Sequence, residues 1–481
     1  MKRSVLSGLL LLLVAGSLRA EQAPSETSPD TLFYWLAAGI SSPRIQRLTA
    51  ERGFACHLTP QYTAALRKAG ADTSLIQTLG RKSTATAVCS SSTSAAQVAA
   101  LAHNRKFDAA EDQIRTLLRD DPGNPLLYLV LGTILREQDR PDEALDAISE
   151  SSRLMPGFPE THGQLSYLFY RLDDSANALA EARTALSMDP KNGEAYRYLG
   201  LALYADGHYD AALHAFEESL QREPGSADVY FDMGITLRDQ GDLRRSAIAY
   251  HHALNLRPDF WQAHSNLGVV LHDQGKLDEA AAEYRAAKRL RPEEASVRNN
   301  LGNTLCDKED FEGAIAEFQE LYRQNPEWDG GHNCLARAYM SKRDYPSAIR
   351  ELKVAIRINP AGAAEHRVLG QALLLTGRDE EAVDVLRKAV ALNPDSALAH
   401  HYLGTALVNT QQLAEAETEF RRALRLEASA ENHYSLAACL VALNRYDEAL
   451  GELEIASRMD PSQDLYRARM QEVVRLITSS K

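Results

Sequence analysis

The chain has 481 residues, 44% of them apolar and 25% charged. These are ordinary values for a folded globular protein, and they exclude a disordered or collagen-like chain. The balance of 66 acidic against 53 basic residues gives a net charge of −13, which argues against nucleic acid as a partner, because phosphate binding needs a Lys/Arg excess. Five cysteines are too few for a scaffold built on disulfides.

Residues 1–20, MKRSVLSGLLLLLVAGSLRA, have the layout of a secretory signal peptide. Lys2 and Arg3 start it, Val5 to Ala15 form an apolar core, and Ala20 or Ser17 marks the cleavage point. The core is shorter than the roughly 20 residues that span a bilayer. An uncleaved anchor is the alternative reading. The first cysteine is Cys56, so a lipoprotein-type acyl anchor is not expected. The mature chain is expected to be exported, periplasmic or secreted, with no membrane span once the signal is removed.

Residues 21–30 form a Pro/Ser/Thr linker, and residues 31–82 read as three or four short helices. Ser42 before Pro43 and Thr59 before Pro60 are expected N-caps, with Gly53 and Gly70 as stops. Such a segment, of about 50 residues, makes a marginal independent core. It resembles a small helical module found ahead of repeats in secreted bacterial proteins, a likeness with no activity attached. Residues 83–94, STATAVCSSSTS, form a Ser/Thr linker. Cys56 and Cys89 could pair in an oxidising compartment, but two free thiols are the favoured reading.

From here the chain repeats. Prolines stand at 122, 156, 190, 224, 258, 292, 326, 360 and 394, each 34 residues after the last. A fixed period of this size means stacked structural units. Ten residues after each proline, and at the matching place in the last unit, stand Gly132, Ser166, Gly200, Gly234, Gly268, Gly302, Ala336, Gly370, Gly404 and Ala437. A second small series runs Ala144, Ala178, Ala212, Ser246, Ala280, Ala314, Ala348, Ala382, Ala416 and Ala449, with Phe216, Tyr250, Tyr284, Phe318 and Phe420 four residues further on. Apolar residues at helical spacing define two amphipathic helices per unit. The small residues are expected where the two helices cross, because larger side chains would hold the backbones apart. Gly207, Gly241, Gly275 and Gly377 fall in the turn between the helices, and each proline ends a second helix.

This pattern resembles the tetratricopeptide repeat family, whose unit is 34 residues. The likeness covers ten units over 125–463, preceded by a degenerate repeat at 95–124 that lacks the Leu-Gly pair in its first helix. Residues 464–481 read as a capping helix over the exposed end of the core. The resemblance implies an all-α, right-handed superhelical solenoid of about ten or eleven helix-turn-helix units. The long array carries the acidic excess.

In this family the first helices line the concave face, and the second, fifth, sixth, ninth, twelfth and thirteenth positions of each unit point into the groove. By register this implies an aromatic end of Tyr167, Tyr170, Tyr198, Tyr204 and Phe231, with Ile235 and Val269 nearby. It implies a polar end of Arg238, Asp239, Asn266, His272, Asp273, Asn299, Asn300, Asn303, Asp307, Asn333 and Arg337. Asn266 and Asn300 occupy the sixth position, where the repeat half of O-linked N-acetylglucosamine transferase carries asparagines that hold peptide backbone. An amide suits that task because it both donates and accepts hydrogen bonds. Solvated faces and plain packing are the alternatives for any one of these residues.

No catalytic motif of the HExxH, CxxC, GxSxG, GxGxxG or phosphate-loop type is present. His162, His264, His332, His366, His400 and His433 recur at one repeat position, but neighbouring units lie too far apart to share an ion whose ligands must stand about 2.0 Å away. Packing is expected of these histidines, and no metal or cofactor is expected. Cys306 and Cys334 sit on neighbouring first helices and are expected as free thiols, with a bond between them as the alternative, and Cys439 is expected in the core. The chain thus reads as a non-catalytic, exported scaffold that binds protein or peptide partners, for envelope, secretion or assembly work. A carbohydrate- or cell-wall-binding adaptor is the runner-up, and a glycosyltransferase-associated protein comes third.

Overall fold

The computed structural model describes residues 27–54, 56–82, 87–90 and 92–479. The expected signal peptide and part of the two linkers lie outside the described residues. Every regular element among the described residues is a helix, and successive helices pack as antiparallel pairs. The chain divides into two compact units, Met1–Leu256 and Arg257–Lys481.

The first unit begins with four short helices, α1 (Pro29–Ala37), α2 (Ser42–Arg52), α3 (Pro60–Lys68) and α4 (Thr73–Lys82). Thr59 caps α3 by accepting from the Tyr62 amide. Ser41, rather than the expected Ser42, is the N-cap residue of α2, so Ser42 and Pro43 both lie inside its first turn. Cys56 and Cys89 form a disulfide with Cα atoms 4.9 Å apart. The degenerate repeat is α5 (Thr93–His103) and α6 (Phe107–Asp120), so helix starts two residues ahead of the expected boundary. Four repeats follow: α7 (Pro125–Glu137) with α8 (Pro141–Leu154), α9 (Pro159–Arg171) with α10 (Ser175–Met188), α11 (Gly193–Ala205) with α12 (Tyr209–Arg222), and α13 (Ala227–Asp239) with α14 (Leu243–Leu256). The four leading helices have no core of their own. A single apolar cluster runs from Leu32 and Phe33 through Leu48, Leu66, Val98 and Val130 to Leu168.

The second unit holds six repeats and the terminal helix Asp464–Ser479, whose Met470, Val473 and Ile477 cover the last repeat's core. Cys439 is fully buried in that core. Cys306 and Cys334 are not free thiols as expected: their neighbouring first helices bring the Cα atoms to 5.9 Å and the two are bonded.

Local chemistry explains the period. Asn124, Asn192, Ser226, Ser396 and Ser429 cap first helices by accepting from an amide two or three residues on. The residue before each proline leaves the helical region, as at Met155 (φ −137°, ψ 69°) and Asp189 (φ −138°, ψ 92°), which stops the second helix. At the seven glycines of this series the space that a Cβ would need is taken by a side chain of the paired second helix, and at Gly132 the Ala144 carbonyl is close as well. A Cβ on Gly200 would stand 2.4 Å from the Phe216 ring, one on Gly234 2.5 Å from Tyr250, and one on Gly404 2.8 Å from Phe420.

The turn between paired helices always contains one left-handed residue, and it is not always glycine. Gly207, Gly241, Gly275 and Gly377 have φ between 70° and 90°, while Asp139, Asp173, Glu309, Arg343 and Gln411 hold the same register position at φ of 59–63°. A side chain there costs roughly 1 kcal/mol or more of conformational strain. Gly377→Ala should therefore lower stability by about 1 kcal/mol although no atom lies within 4 Å of the new methyl. Arg343→Gly should raise it by about half that once glycine's entropy is counted. Urea midpoints of the two variants, moving in opposite directions, check the argument.

Candidate functional site

The residues assigned to partner contact lie on first helices in both units, and each unit has its own chemistry. In the first unit an aromatic and charged cluster crosses α7, α9, α11 and α13. Arg136 donates to Gln164 Oε1 (2.5 Å), Gln164 donates to the Tyr198 hydroxyl (3.1 Å), and Tyr198 donates to Glu194 Oε1 (2.6 Å). The Arg136 guanidinium sits over the Tyr167 ring at 5.2 Å, and Tyr167 meets Tyr170 and Tyr198 at 6.1 and 5.8 Å. Next to it Arg197 pairs with Asp232 (2.6 Å), and Tyr204 donates to Asp239 Oδ2 (2.5 Å), which also holds Arg238 (3.0 Å). Phe231 packs on Tyr250 with ring centroids 5.8 Å apart.

Burial sets the protonation states here. It pushes the Tyr170 phenol up to about 12 and raises Tyr198 as well. Burial also raises the Glu194 carboxyl; the Tyr198 hydrogen bond opposes this, and the charge of Glu223 raises it further. These tyrosines are therefore neutral donors under all ordinary conditions. Tyr167, Tyr170, Tyr204 and Phe231 are half-buried, but Tyr198 is only 4% exposed. Tyr198 is a packing residue, contrary to the expectation that it faces a partner. Its ring lies against Gly163, where a Cβ would approach to 3.0 Å.

In the second unit the polar residues form two small networks and one separate pair. His272 Nε2 contacts Asp307 Oδ2 (3.1 Å), and Arg337 donates to Asp307 Oδ1 (3.1 Å). Asn299 donates to Asn300 Oδ1 (3.4 Å) and accepts from the Trp328 indole (3.4 Å), while Asn333 donates to Glu365 (2.8 Å). Asn266, Asn299, Asn300 and Asn303 are half-buried; Asn333 and Arg337 are exposed.

Two features of this unit escaped the sequence reading. The seventh repeat keeps the 34-residue period, but its first helix, His332–Ser341, has 10 residues where the others have 13. The missing turn follows from Gly330 and Gly331. Gly331 sits at φ 91°, and a Cβ there would stand 2.1 Å from Phe318. Tyr322 donates to the Gly330 carbonyl (2.7 Å) and fixes the unwound stretch. The result is a 300 Å³ cavity whose walls include Asn303, His332, Asn333 and Asn359. The second feature is apolar: Leu375 and Leu398, on the next two first helices, are 52% and 49% exposed. Only the Gly-Gly pair was visible as a local signal.

The recurring histidines are not simply packing residues. Five of them pair with a glutamate 19 residues on: His162–Glu181 (2.6 Å), His264–Glu283 (2.6 Å), His332–Glu351 (2.7 Å), His400–Glu419 (2.5 Å) and His433–Glu452 (2.5 Å). Each pair ties a first helix to its own second helix. His366 has Val385 at that place and instead contacts the Gly362 carbonyl. Among the described residues no group of three or more His, Cys, Asp or Glu is placed to hold a metal ion, and no helix is long and apolar enough to cross a membrane.

Comparison with known proteins agrees with this architecture. The tetratricopeptide repeat model matches residues 96–154, 164–227, 231–295 and 335–397, just over half of the chain. The chain belongs to the tetratricopeptide repeat family, whose members are generally non-catalytic scaffolds for protein interactions. Residues 376–456 also match the model for anaphase-promoting complex, cyclosome, subunit 3. No curated protein matches. Among solved structures, PilF of Pseudomonas aeruginosa is 18% identical, with 45% of this chain and 95% of that one covered at a TM-score of 0.37. YrrB, described as having an unusual peptide-binding site, is 21% identical over 41% and 99% of the two chains, TM-score 0.32. A repeat protein from Parabacteroides merdae is 16% identical over 52% and 98%, TM-score 0.37.

Proposed function

We propose that the chain is an exported, non-catalytic scaffold that holds a peptide segment of a protein partner against its first helices, in envelope, secretion or assembly work. The observation that carries this reading is the set of half-buried amides Asn299, Asn300 and Asn303 with exposed Asn333 and Arg337 on adjacent first helices. Among the described residues the Asn299 amide is engaged only through contacts of 3.4 Å, the long end of the hydrogen-bond range, so it keeps capacity for a peptide main chain. This is the task of the asparagine ladder in the transferase repeats named above. Export is supported by the Lys2–Arg3 start with its apolar core, and by two cysteine pairs of the kind that forms and persists in oxidising compartments.

The double substitution Asn299→Ala and Asn300→Ala tests the reading. The mature chain is used as bait against an envelope fraction with cross-linking, and bound partners are identified by mass. Capture is expected to fall at least tenfold with the far-UV dichroism unchanged. Undiminished capture would refute the amide contact.

A further inference from the structure

The amino-terminal helices occupy part of the surface that a partner would use. Helix α1 rests on α5 and α7, and its Leu36 and Ala37 share a 210 Å³ cavity with Thr133, Arg136 and Glu137 of α7. Thr133, Arg136 and Glu137 hold the ninth, twelfth and thirteenth positions of the first full repeat, so α1 covers groove positions. Trp35 stacks on Phe158 at 6.5 Å with 16° between the rings, and Arg52 lies over both.

Helix α2 then presents Arg44 and Arg47, one helical turn apart, to carboxylates that recur with the repeat. Arg44 meets Glu160 in the first turn of α9 and Asp189 at the end of α10. Arg47 donates to Glu223 Oε1 at the end of α12 (3.1 Å), and Ser41 donates to Glu223 Oε2 (3.0 Å). Asp189 and Glu223 stand 34 residues apart, so a strip keyed to the period is formed. Both cap the carboxyl ends of 14-residue helices, where the helix dipole adds negative potential. The strip is thus built for cations, and guanidinium suits paired carboxylates better than ammonium.

The occupancy is incompletely satisfied. Glu160 Oε2 and Arg47 Nε are buried without a hydrogen-bond partner, whereas most buried polar groups in a native core are matched. No disulfide holds α2 to the repeats, because the Cys56–Cys89 bridge closes within the amino-terminal segment; besides the ion pairs, its hold is the burial of Ile45 and Leu48 in the shared apolar cluster.

We propose that α2 is a resident ligand of this strip, and that a partner helix bearing two arginines one turn apart enters by displacing it. The proposal rests on the array being a scaffold for protein partners, extends the partner surface from Glu160 on a first helix to the second-helix ends that carry Asp189 and Glu223, and narrows the partner to a basic helical peptide.

The test uses the full mature chain and a fluorescein-labelled peptide of residues 38–54 as probe. Binding is read by anisotropy at low salt, where exposed charge pairs act most strongly. Wild type, with its strip filled, should show no saturable binding. The Arg44→Glu/Arg47→Glu chain should bind the peptide at least tenfold more tightly than wild type. A peptide carrying both reversals should bind neither, and adding Glu223→Gln to the double variant should abolish binding. If the double variant loses helicity, Arg47→Glu alone serves, since that side chain is 28% exposed. Equal affinity for wild type and variant, or no binding by any folded variant, overturns the proposal. Neither result touches Asn299 or Asn300, so failure here is separable from failure of the amide contact.

Discussion

Phe318→Ala is expected to destabilise the second unit by about 3–5 kcal/mol, the cost of removing a fully buried ring and leaving its cavity. Phe318 is 0% exposed in the helix Phe311–Gln324, and it closes two approaches at once. A Cβ on Gly302 would come within 2.7 Å of its ring, and one on Gly331 within 2.1 Å. It also packs on Tyr322 at 6.3 Å, whose hydroxyl holds the Gly330 carbonyl. Its loss should therefore also loosen the unwound turn that carries Trp328. Hydrogen exchange should rise in Ala295–Asp307, Phe311–Gln324 and His332–Ser341 before it rises elsewhere, since repeats are stabilised mainly by their neighbours. The reverse change, Gly302→Ala, overpacks the same contact and should cost about 1–3 kcal/mol. A urea midpoint for Phe318→Ala no lower than that for Gly302→Ala would contradict this account.

The proline series made the repeat architecture readable because each proline acts locally, on the residue before it, and does so nine times. The glycine series was readable too, but its cause was not, because the ring that needs the space lies sixteen residues on. Register placed the tyrosines correctly on first helices yet could not separate Tyr198 from Tyr167 and Tyr170. Tyr198 is buried because Gly163, thirty-five residues earlier, lacks a Cβ. The docking of α2 left no local trace at all. Arg44 and Glu160 are 116 residues apart, and nothing in the periodicity of either helix announces their meeting. Likewise the histidine positions were visible, but pairing with glutamate required knowing how the two helices of one unit face each other.

Two of those pairs, at His162 and His264, make stability depend on pH in a direction opposite to the usual loss in acid. His162 donates from Nδ1 to Glu181 and has Nε2 against the Pro156 carbonyl (3.3 Å); His264 does the same with Glu283 and Pro258 (3.1 Å). An acceptor at both nitrogens suits the doubly protonated ring. The glutamate hydrogen bond raises both histidines above the ordinary 6.5, burial opposes it, and the proline carbonyl adds to it; Arg289 opposes it slightly at His264. A raised histidine contributes stability that is fully present below about 6.5 and is lost as pH rises through the folded value. Glu194, raised by burial, acts with the same sign, because the folded state holds its proton more tightly than the unfolded one. Surface carboxylates held below their usual range by arginines, such as Glu320 beside Arg323 at about 2, work the other way, and their contribution disappears only in stronger acid. Maximum stability is therefore expected between about pH 5 and 6.5. The His162 and His264 pairs should each contribute on the order of 1 kcal/mol there, after solvent screening is allowed for. Urea midpoints at pH 5.5, 6.5, 7.5 and 8.5 should fall steadily for wild type and much less for Glu181→Gln/Glu283→Gln. A wild-type midpoint that climbs across that range would show that the histidines are bound neutral, as simple packing residues.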